Sequence, residues 1–264
     1  MLRLSANLST LFREYPFRER FGAARRAGFK AVEVQYPYEF GVDELASLLI
    51  GENLSLVLVN ARKGSRPEDR GLACLRGRES EFRESVRQAL RYSAVLGNRL
   101  VHVLSGVPPC DTERQDSEKI WLENMRWASR EAREAGMSIV IEALNQEETP
   151  GYFLRSAEDA CGLIDMLDEP GAGLLFDVYH CAKAGQDIVG GMERCLRHIR
   201  HIQIADAPER SVPGSGTIDW DETFAAIEAL GYSGFIGCEY LSARDTAAEL
   251  RWAAPYLAPI EHKA

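Results

Sequence analysis

The sequence predicts an α/β protein folded as a closed barrel of eight parallel strands with a helix after each strand, a (β/α)₈ barrel. Short apolar runs rich in β-branched residues alternate with longer runs of helical periodicity along the whole chain. Such an alternation requires parallel strands, and eight repeats favour closure of the sheet. Several apolar runs also end on a carboxylate or an amide, which is typical of strands whose carboxyl ends carry a site.

The strands are the shorter runs. The predicted strands are residues 3–6, 31–34, 54–59, 99–104, 138–142, 172–177, 199–204 and 235–239. The predicted helices are 17–27, 42–49, 79–96, one capped by Asp116 or Ser117 and ending at Ala135, one capped by Ser156 and ending at Leu167, 188–197, one beginning at Asp219 or Asp221 and ending at Gly231, and 246–257.

No stretch resembles a linker between domains, so residues 1–264 are expected to form a single (β/α)₈ domain. The structural alternative is an open, doubly wound sheet. A dinucleotide-binding version of that sheet is disfavoured because no Gly-x-Gly-x-x-Gly follows the first strand.

Composition restricts the partners. A net charge of −9 argues against a nucleic-acid or anionic-membrane surface. No run is long enough to span a bilayer, and no signal peptide is expected, because the chain opens directly on a strand-like segment. The six cysteines show no metal-type spacing and are interpreted as reduced thiols of a cytoplasmic protein. A small molecule is therefore the expected partner, and homo-oligomerisation is left open.

Four oxygen-bearing side chains stand at the ends of the last four strands: Glu142, Asp177, Gln203 and Glu239. In a parallel barrel these ends converge on one half of the mouth. Three carboxylates at close range repel one another unless a cation holds them. An all-oxygen set suits a hard divalent cation such as Mg²⁺ or Mn²⁺ better than zinc. The alternative is that each residue only caps a neighbouring helix or loop.

Other polar residues follow strand ends. His180 lies three residues after Asp177 and could face the same cavity from a loop, and Arg210 follows Gln203 and could hold a substrate oxygen. His102 lies inside its strand and is interpreted as a core histidine. Residues that fit simple strand caps equally well are Asn7, Gln35 and Asn60.

The segment 61–78 is long for a connection and contains Gly64, Pro67, Gly71 and Gly77. It also carries a cluster of cations suited to an anionic ligand, namely Arg62, Lys63, Arg66 and Arg70. We expect it to lie over the strand ends as a loop that closes the barrel mouth. The alternative is a solvated charged loop.

With these residues placed, the chain resembles the hydroxypyruvate isomerase-like family of xylose isomerase-like TIM barrels. The matching motifs are Arg70-Gly-Leu-Ala-Cys-Leu-Arg-Gly-Arg-Glu, Ile141-Glu-Ala-Leu-Asn, Phe176-Asp-Val-Tyr-His, His201-Ile-Gln-Ile-Ala-Asp-Ala-Pro-Glu-Arg, Pro213-Gly-Ser-Gly-Thr-Ile and Gly237-Cys-Glu-Tyr, with an early Phe12-Arg-Glu-Tyr-Pro-Phe. They cover nearly the whole chain in order.

The resemblance implies an aldose–ketose type isomerase that interconverts small hydroxy-oxo acids through an enediolate. The pairs would be hydroxypyruvate with tartronate semialdehyde, or 2-oxo-tetronate with its 3-oxo isomer. It implies a divalent metal on Glu142, Asp177, Gln203 and Glu239, with Glu142 and Glu239 as the acid/base pair. His180 and Arg210 match substrate-binding positions.

Two positions depart from the family pattern. Ala143 stands where the family often has Pro, and Leu241 stands where it usually has Lys. A missing cation at Leu241 could change which acid is bound, so the reaction class is better supported than the substrate.

Three other functions remain open. A sugar-acid or cyclitol dehydratase on the same barrel would need a group to protonate a leaving hydroxyl. DNA-repair nucleases of the same barrel type use histidine-rich sites for several metals and basic grooves. This chain has only five histidines and a net charge of −9, which disfavours that function. A non-catalytic sensor is disfavoured by the complete set of metal oxygens.

Overall fold

The computed structural model describes residues 2–110, 114–242 and 245–257. Eight parallel strands pair in chain order, and the last pairs with the first, so the sheet closes into a barrel. This confirms the predicted (β/α)₈ fold and removes the open-sheet alternative. Strand ends are held in register, with Asn60 opposite His102 and Asp177 opposite Gln203.

Each predicted strand is present within two residues of its predicted bounds. The strands are β1 Arg3–Asn7, β2 Ala31–Val34, β3 Ser55–Asn60, β4 Leu100–His102, β5 Ser138–Ile141, β6 Ala172–Asp177, β7 Ile199–Ile204 and β8 Phe235–Cys238. Strand β4 is the shortest, because its chain leaves the sheet two residues before the predicted end.

The helices cover the outside of the barrel. They are α1 Phe17–Arg26, α2 Val42–Gly51, α3 Glu79–Leu96, α4 Arg114–Glu134, α5 Ala157–Leu167, α6 Val178–Lys183, α7 Ile188–Cys195, α8 Trp220–Ala229 and α9 Thr246–Glu249, followed by a 3₁₀ helix, Leu250–Ala253. None of the described helices is both long and apolar enough to cross a bilayer.

Most of the differences from the predicted helices concern their starts and ends. Helix α4 begins at Arg114, so the predicted caps Asp116 and Ser117 lie inside it. The last helix tightens to 3₁₀ geometry after Glu249. Helix α6 has no counterpart in the prediction, because six residues are too few to show a periodic pattern.

Several helices begin at a residue whose side chain caps the helix N-terminus. The Ser156 hydroxyl accepts a hydrogen bond from the Asp159 backbone N–H at 3.0 Å, as predicted. Asp177 ends β6 and at the same time caps α6, accepting from the N–H groups of Tyr179 at 2.8 Å and His180 at 3.4 Å. This cap turns the chain sharply and brings His180 back beside the strand end.

Strand periodicity sorts the interior into two layers. Alternate residues of a strand face the same side, so the residue two before each strand-end side chain lies directly beneath it. On one half of the barrel this lower layer is apolar and includes Leu58, Val140 and Leu175. On the other half it is polar: Ser5, Glu33 and His201 are buried there, and Gly237 lies against Glu33.

The segment 61–78 is docked to the barrel rather than free in solvent. Gly71 forms an antiparallel bridge with Ser105 after β4. Within the segment, Arg78 forms two hydrogen bonds of 2.8 Å with the carboxylate of Asp69, and both side chains are largely buried. This fork-to-carboxylate pairing fixes the segment's shape.

Gly71 offers a test of this docking. Its φ is +117°, and a Cβ there would lie 2.4 Å from the Leu104 carbonyl oxygen. Gly71→Ala should therefore undock the segment, lowering the unfolding free energy by about 1–3 kcal/mol and speeding proteolysis within 61–78. Gly77→Ala is the matched control, because Gly77 also has a positive φ but open space around it. Equal proteolysis rates in the two variants would contradict the docking argument.

Candidate functional site

The upper layer of the barrel is a ring of eight polar side chains, one from the end of each strand. The ring consists of Asn7, Gln35, Asn60, His102, Glu142, Asp177, Gln203 and Glu239. All four residues predicted as metal ligands belong to this ring and are buried. The barrel therefore places them around one mouth, as the sequence predicted.

Glu142, Asp177 and His180 form the tightest group. Each offers an atom within 4.8 Å of the others' atoms, a spacing that one metal ion could bridge. His180 Nε2 lies 3.8 Å from Glu142 and 3.9 Å from Asp177. His180 belongs to α6, not to a loop as predicted, and the Asp177 cap is what brings it here.

Glu142 is in an environment that opposes negative charge. Burial raises its pKa well above the usual range, and the neighbouring carboxylates of Asp177 and Glu239 raise it further. The Arg210 guanidinium acts in the opposite direction but is outweighed. A cation bound here would stabilise the charged form of Glu142.

Glu239 is held by three donors. Asn7 donates to its Oε2 at 2.9 Å, and Gln35 and Arg210 donate to its Oε1 at 2.9 and 2.7 Å. Burial nevertheless raises the pKa of Glu239 to about 7, with Arg210 partly offsetting the effect. Asn7 and Gln35, which fitted simple strand caps, therefore hold a site carboxylate.

Arg210 is the cation of the site. Its guanidinium lies 2.7 Å from Glu239 and 3.5 Å from Asp177, and it stacks over the Tyr179 ring. Burial alone would lower its pKa, but Glu239 and Asp177 outweigh that effect and raise it. Arg210 has a φ of +53°, a left-handed conformation that is uncommon for arginine. The surrounding loop must therefore hold this conformation.

Asp206, a buried residue that the sequence did not single out, organises that loop. Its carboxylate accepts hydrogen bonds from the backbone N–H groups of Ala207, Gly214 and Gly216 and from the indole of Trp220, at 2.8–3.0 Å. The motif after β7 contains this aspartate, but only the folded loop shows that it binds main chain rather than a ligand.

The contacts of His180 favour the tautomer with its proton on Nε2. The backbone N–H of Asn145 donates to Nδ1 at 3.2 Å, and the Asn145 side-chain nitrogen lies 2.7 Å from the same atom. Burial lowers the pKa of His180 to about 4, so the ring is neutral and its one proton is on the other nitrogen. Arg210 approaches Nε2 at 3.3 Å, but the two Asn145 donors decide the tautomer.

This tautomer bears on how His180 can act. A metal-bound histidine usually donates its second N–H to a carboxylate or a carbonyl, whereas the Nδ1 of His180 accepts. His180 is therefore arranged as a hydrogen-bond donor facing Glu142 and Asp177. That role fits the predicted substrate contact better than metal ligation.

Gln203 is fixed from below by a residue that the sequence analysis missed. Its side-chain nitrogen donates to Glu33 Oε2 at 2.8 Å. Glu33 lies in the run Ala31-Val-Glu-Val, where a single glutamate resembles an exposed strand position. The period of two could have shown it: Glu33 precedes Gln35, a strand-end residue, by two.

His102 belongs to the site and not to the core, which corrects the sequence interpretation. Its Nε2 is buried and finds no hydrogen-bond partner among the described residues, and its nearest ionic neighbour is Glu142 at 3.5 Å. Burial lowers its pKa to about 3, so the ring is neutral. An unpaired buried nitrogen beside the Glu142 carboxylate fits a mouth that takes up a cation or a polar ligand.

The two departures from the family pattern lie at the rim. Leu241 is exposed, and its backbone N–H donates to the Arg210 carbonyl at 2.8 Å. Ala143 packs partly buried against the core. The effect of either residue on substrate choice stays a prediction.

A cavity of about 730 Å³ lies under the segment 61–78, and none of the eight ring side chains lines it. The segment 61–78, the loop after β4 and the start of α4 form its walls, and Glu148 lies where it meets the site. Glu148 accepts from the Tyr179 hydroxyl and from Asn145, and so ties the cavity wall to the residues around His180.

Comparison with known proteins agrees with this geometry. The family described as xylose isomerase-like TIM barrel matches residues 21–258. The 2-oxo-tetronate isomerase of Cupriavidus necator is 39% identical over 97% of this chain and 99% of its own length. The hydroxypyruvate isomerase of Escherichia coli is 37% identical over 97% of this chain and 100% of its own.

A solved structure agrees as well. The crystal structure described as an AP endonuclease, family 2, from Brucella melitensis superposes with a TM-score of 0.94 at 37% identity, covering 98% of this chain and 100% of that one. The curated relatives are named as isomerases, so the predicted isomerase kinship is confirmed. The chain therefore belongs to the xylose isomerase-like TIM barrel family, among relatives of the hydroxypyruvate isomerases.

Proposed function

We propose that this protein is a metal-dependent isomerase that interconverts the carbonyl and hydroxyl positions of a small hydroxy-oxo acid. The observation that carries the proposal is the convergence of Glu142, Asp177, Gln203 and Glu239 on one barrel mouth, with Arg210 and His180 beside them. The relatives named 2-oxo-tetronate isomerase and hydroxypyruvate isomerase support this substrate class.

The donor set fits a divalent cation. Carboxylates of Glu142, Asp177 and Glu239 and the carbonyl of Gln203 would hold Mg²⁺ or Mn²⁺, the ions that suit oxygen ligands. When bound, the cation would act as a Lewis acid on the substrate's adjacent oxygens. Its charge would also hold the buried glutamates in their ionised form.

The chain's own residues then move the proton. One glutamate takes a proton from the carbon that bears the hydroxyl, and a glutamate that has become protonated returns a proton to the neighbouring carbon, while the hydroxyl proton passes to the former carbonyl oxygen. Glu142 and Glu239 follow strands β5 and β8 and so approach from different sides of the mouth. His180 donates its Nε2 proton to a substrate oxygen, and Arg210 holds a second one.

The acid group of the substrate would lie in the cavity. Arg66 and Arg70 line it, and in the described part of the chain neither forms an ion pair. The Arg70 guanidinium donates hydrogen bonds to the carbonyls of Pro67 and Asp69 at 3.1 and 2.9 Å, which hold it in the cavity wall. We assign it to the acid group of the substrate.

Other reactions have less support. The Brucella protein is described as an endonuclease, but a net charge of −9 disfavours a nucleic-acid surface here. A dehydratase on the same barrel would release one water from the substrate, and His180 or His102 could protonate the leaving hydroxyl. The assay below separates these outcomes.

The defining experiment is an NMR screen of three- and four-carbon oxo acids with Mg²⁺ or Mn²⁺ added. Isomerisation should convert one acid into another of equal mass and, in D₂O, place deuterium on the carbon that gains hydrogen. Loss of one water would identify a lyase. Complete retention of the donor hydrogen, together with appreciable activity in both Glu142→Gln and Glu239→Gln, would instead indicate a hydride shift and remove the glutamates from the acid/base role.

The metal assignment predicts that Asp177→Ala abolishes divalent-cation binding. The variant would lack the ligand oxygens of Asp177. It would also lack the side-chain cap of α6. Elemental analysis of the purified variant measures occupancy, and wild-type protein should melt at a higher temperature with Mn²⁺ than without. Ser156→Ala, which removes only the α5 cap, is the control for capping loss. Full metal occupancy in Asp177→Ala would refute the assignment.

The acid/base assignment predicts that Glu142→Gln and Glu239→Gln lose turnover by several orders of magnitude, roughly 10²–10⁴-fold each. Both amides keep an oxygen that can contact the cation, so part of the metal should remain. Single-turnover NMR with a metal titration on the same samples separates the two effects. Appreciable activity in both variants would contradict the assignment.

The cavity assignment predicts that Arg70→Gln raises KM for an acid substrate at least about tenfold, because a charge-assisted hydrogen bond to the carboxylate is lost. An uncharged hydroxy-ketone of the same length should be affected much less. Arg76→Gln is the matched control, since Arg76 lines the same cavity but is paired with Asp116 at 3.3 Å. An equal change in KM for both arginine variants would remove Arg70 from the substrate site.

A further inference from the structure

We propose that Glu33, buried in the barrel beneath the ring, is a positioning residue that decides which end of the Gln203 amide faces the metal. This inference rests on the proposed function, because it concerns the cation assigned to the ring. Gln203 lies between Glu33 and the barrel mouth. Glu33 would therefore affect the reaction through the Gln203 side chain.

The contacts of the Glu33 carboxylate determine which end of the Gln203 amide faces it. Its Oε1 accepts from the Ser5 hydroxyl at 2.6 Å and lies 2.9 Å from His201 Nε2. Its Oε2 faces the Gln203 amide at 2.8 Å. A carboxylate oxygen only accepts, so the amide group that points at it must be the NH₂. The carbonyl oxygen of Gln203 is thereby turned away from Glu33.

The position of Glu33 is itself fixed by close packing. A Cβ on Gly237 would lie 2.4 Å from Glu33 Oε1, so strand β8 approaches Glu33 as closely as a residue without a side chain allows. The side chains of Glu33 and His201 are each about 1% exposed. Glu33 thus has no room to swing away and release the amide.

A free glutamine could present either end to the mouth, and the two ends differ in consequence. The carbonyl oxygen can bind a cation, whereas the NH₂ group cannot. The Glu33 carboxylate accepts from the NH₂ of Gln203 and so leaves the carbonyl oxygen to face the cation. Residues that hydrogen-bond to metal ligands commonly orient them in this way.

Exchanging the two residues tests this role. In Glu33→Gln the new carbonyl should take the Oε1 position, where two donors meet, and the new NH₂ should face Gln203. Gln203 must then flip its carbonyl toward residue 33 and turn its own NH₂ to the mouth. We expect Mn²⁺ affinity, measured by calorimetry and by electron paramagnetic resonance of free Mn²⁺, to fall by about 10–100-fold.

The double variant Glu33→Gln/Gln203→Glu should recover the affinity. The carboxylate at 203 would accept from the amide at 33 and offer its second oxygen to the cation. Val86→Ala, on the buried face of α3, controls for lost stability and should bind Mn²⁺ as the wild type does. If Glu33→Gln does not fold, the double variant carries the test alone.

The outcomes are distinct. Two results would overturn the positioning role but not the proposed function. In the first, the wild type and Glu33→Gln bind Mn²⁺ with equal affinity. In the second, the double variant folds but binds Mn²⁺ as weakly as Glu33→Gln. A wild type that binds no Mn²⁺ overturns both the metal assignment and this inference. Loss in the single variant with recovery in the double supports both.

Discussion

Buried negative charge at the carboxyl ends of the strands is the constraint on which this site depends. Glu142, Asp177 and Glu239 are each no more than about 6% exposed, and one guanidinium, Arg210, stands among them. Three carboxylates against one cation leave an excess that a low-dielectric interior does not tolerate. Burial, and to a lesser degree this excess of carboxylates, raises the pKa values of Glu142 and Glu239, and a divalent cation would favour their ionised forms.

The layer of side chains beneath the ring is apolar in one half of the barrel and polar in the other. Beneath Glu142 and Asp177 lie Val140 and Leu175, which supply no hydrogen bonds. Charges above them are poorly solvated, and this strengthens every interaction that they make. Beneath Gln203 lies a polar floor centred on Glu33. Glu142 and Asp177 therefore stand above side chains that offer no hydrogen bonds, whereas the Gln203 amide is held in one orientation from below.

Much of this could be predicted from the sequence, for a physical reason. Parallel strands place their carboxyl ends on one side, so locating the strands was enough to bring Glu142, Asp177, Gln203 and Glu239 together. The lower layer is not evident in the sequence because Glu33 is a single polar residue in a short run, and its partners Ser5 and His201 lie far from it along the chain. His180 was placed in a loop because α6 is short and depends on a cap by a site residue. Contacts between elements decided both cases.

The histidines show which effect dominates in this mouth. His102 and His180 both lie near Asp177, whose charge favours their protonated forms, yet burial outweighs it and lowers their pKa values to about 3 and about 4. Both rings are therefore neutral near pH 7, and the charge of the site is set by carboxylates and Arg210 alone. A neutral His180 with its proton fixed on Nε2 by Asn145 can donate a hydrogen bond to a substrate oxygen without adding a positive charge. Because it adds none, it does not compete electrostatically with a divalent cation for Glu142 and Asp177.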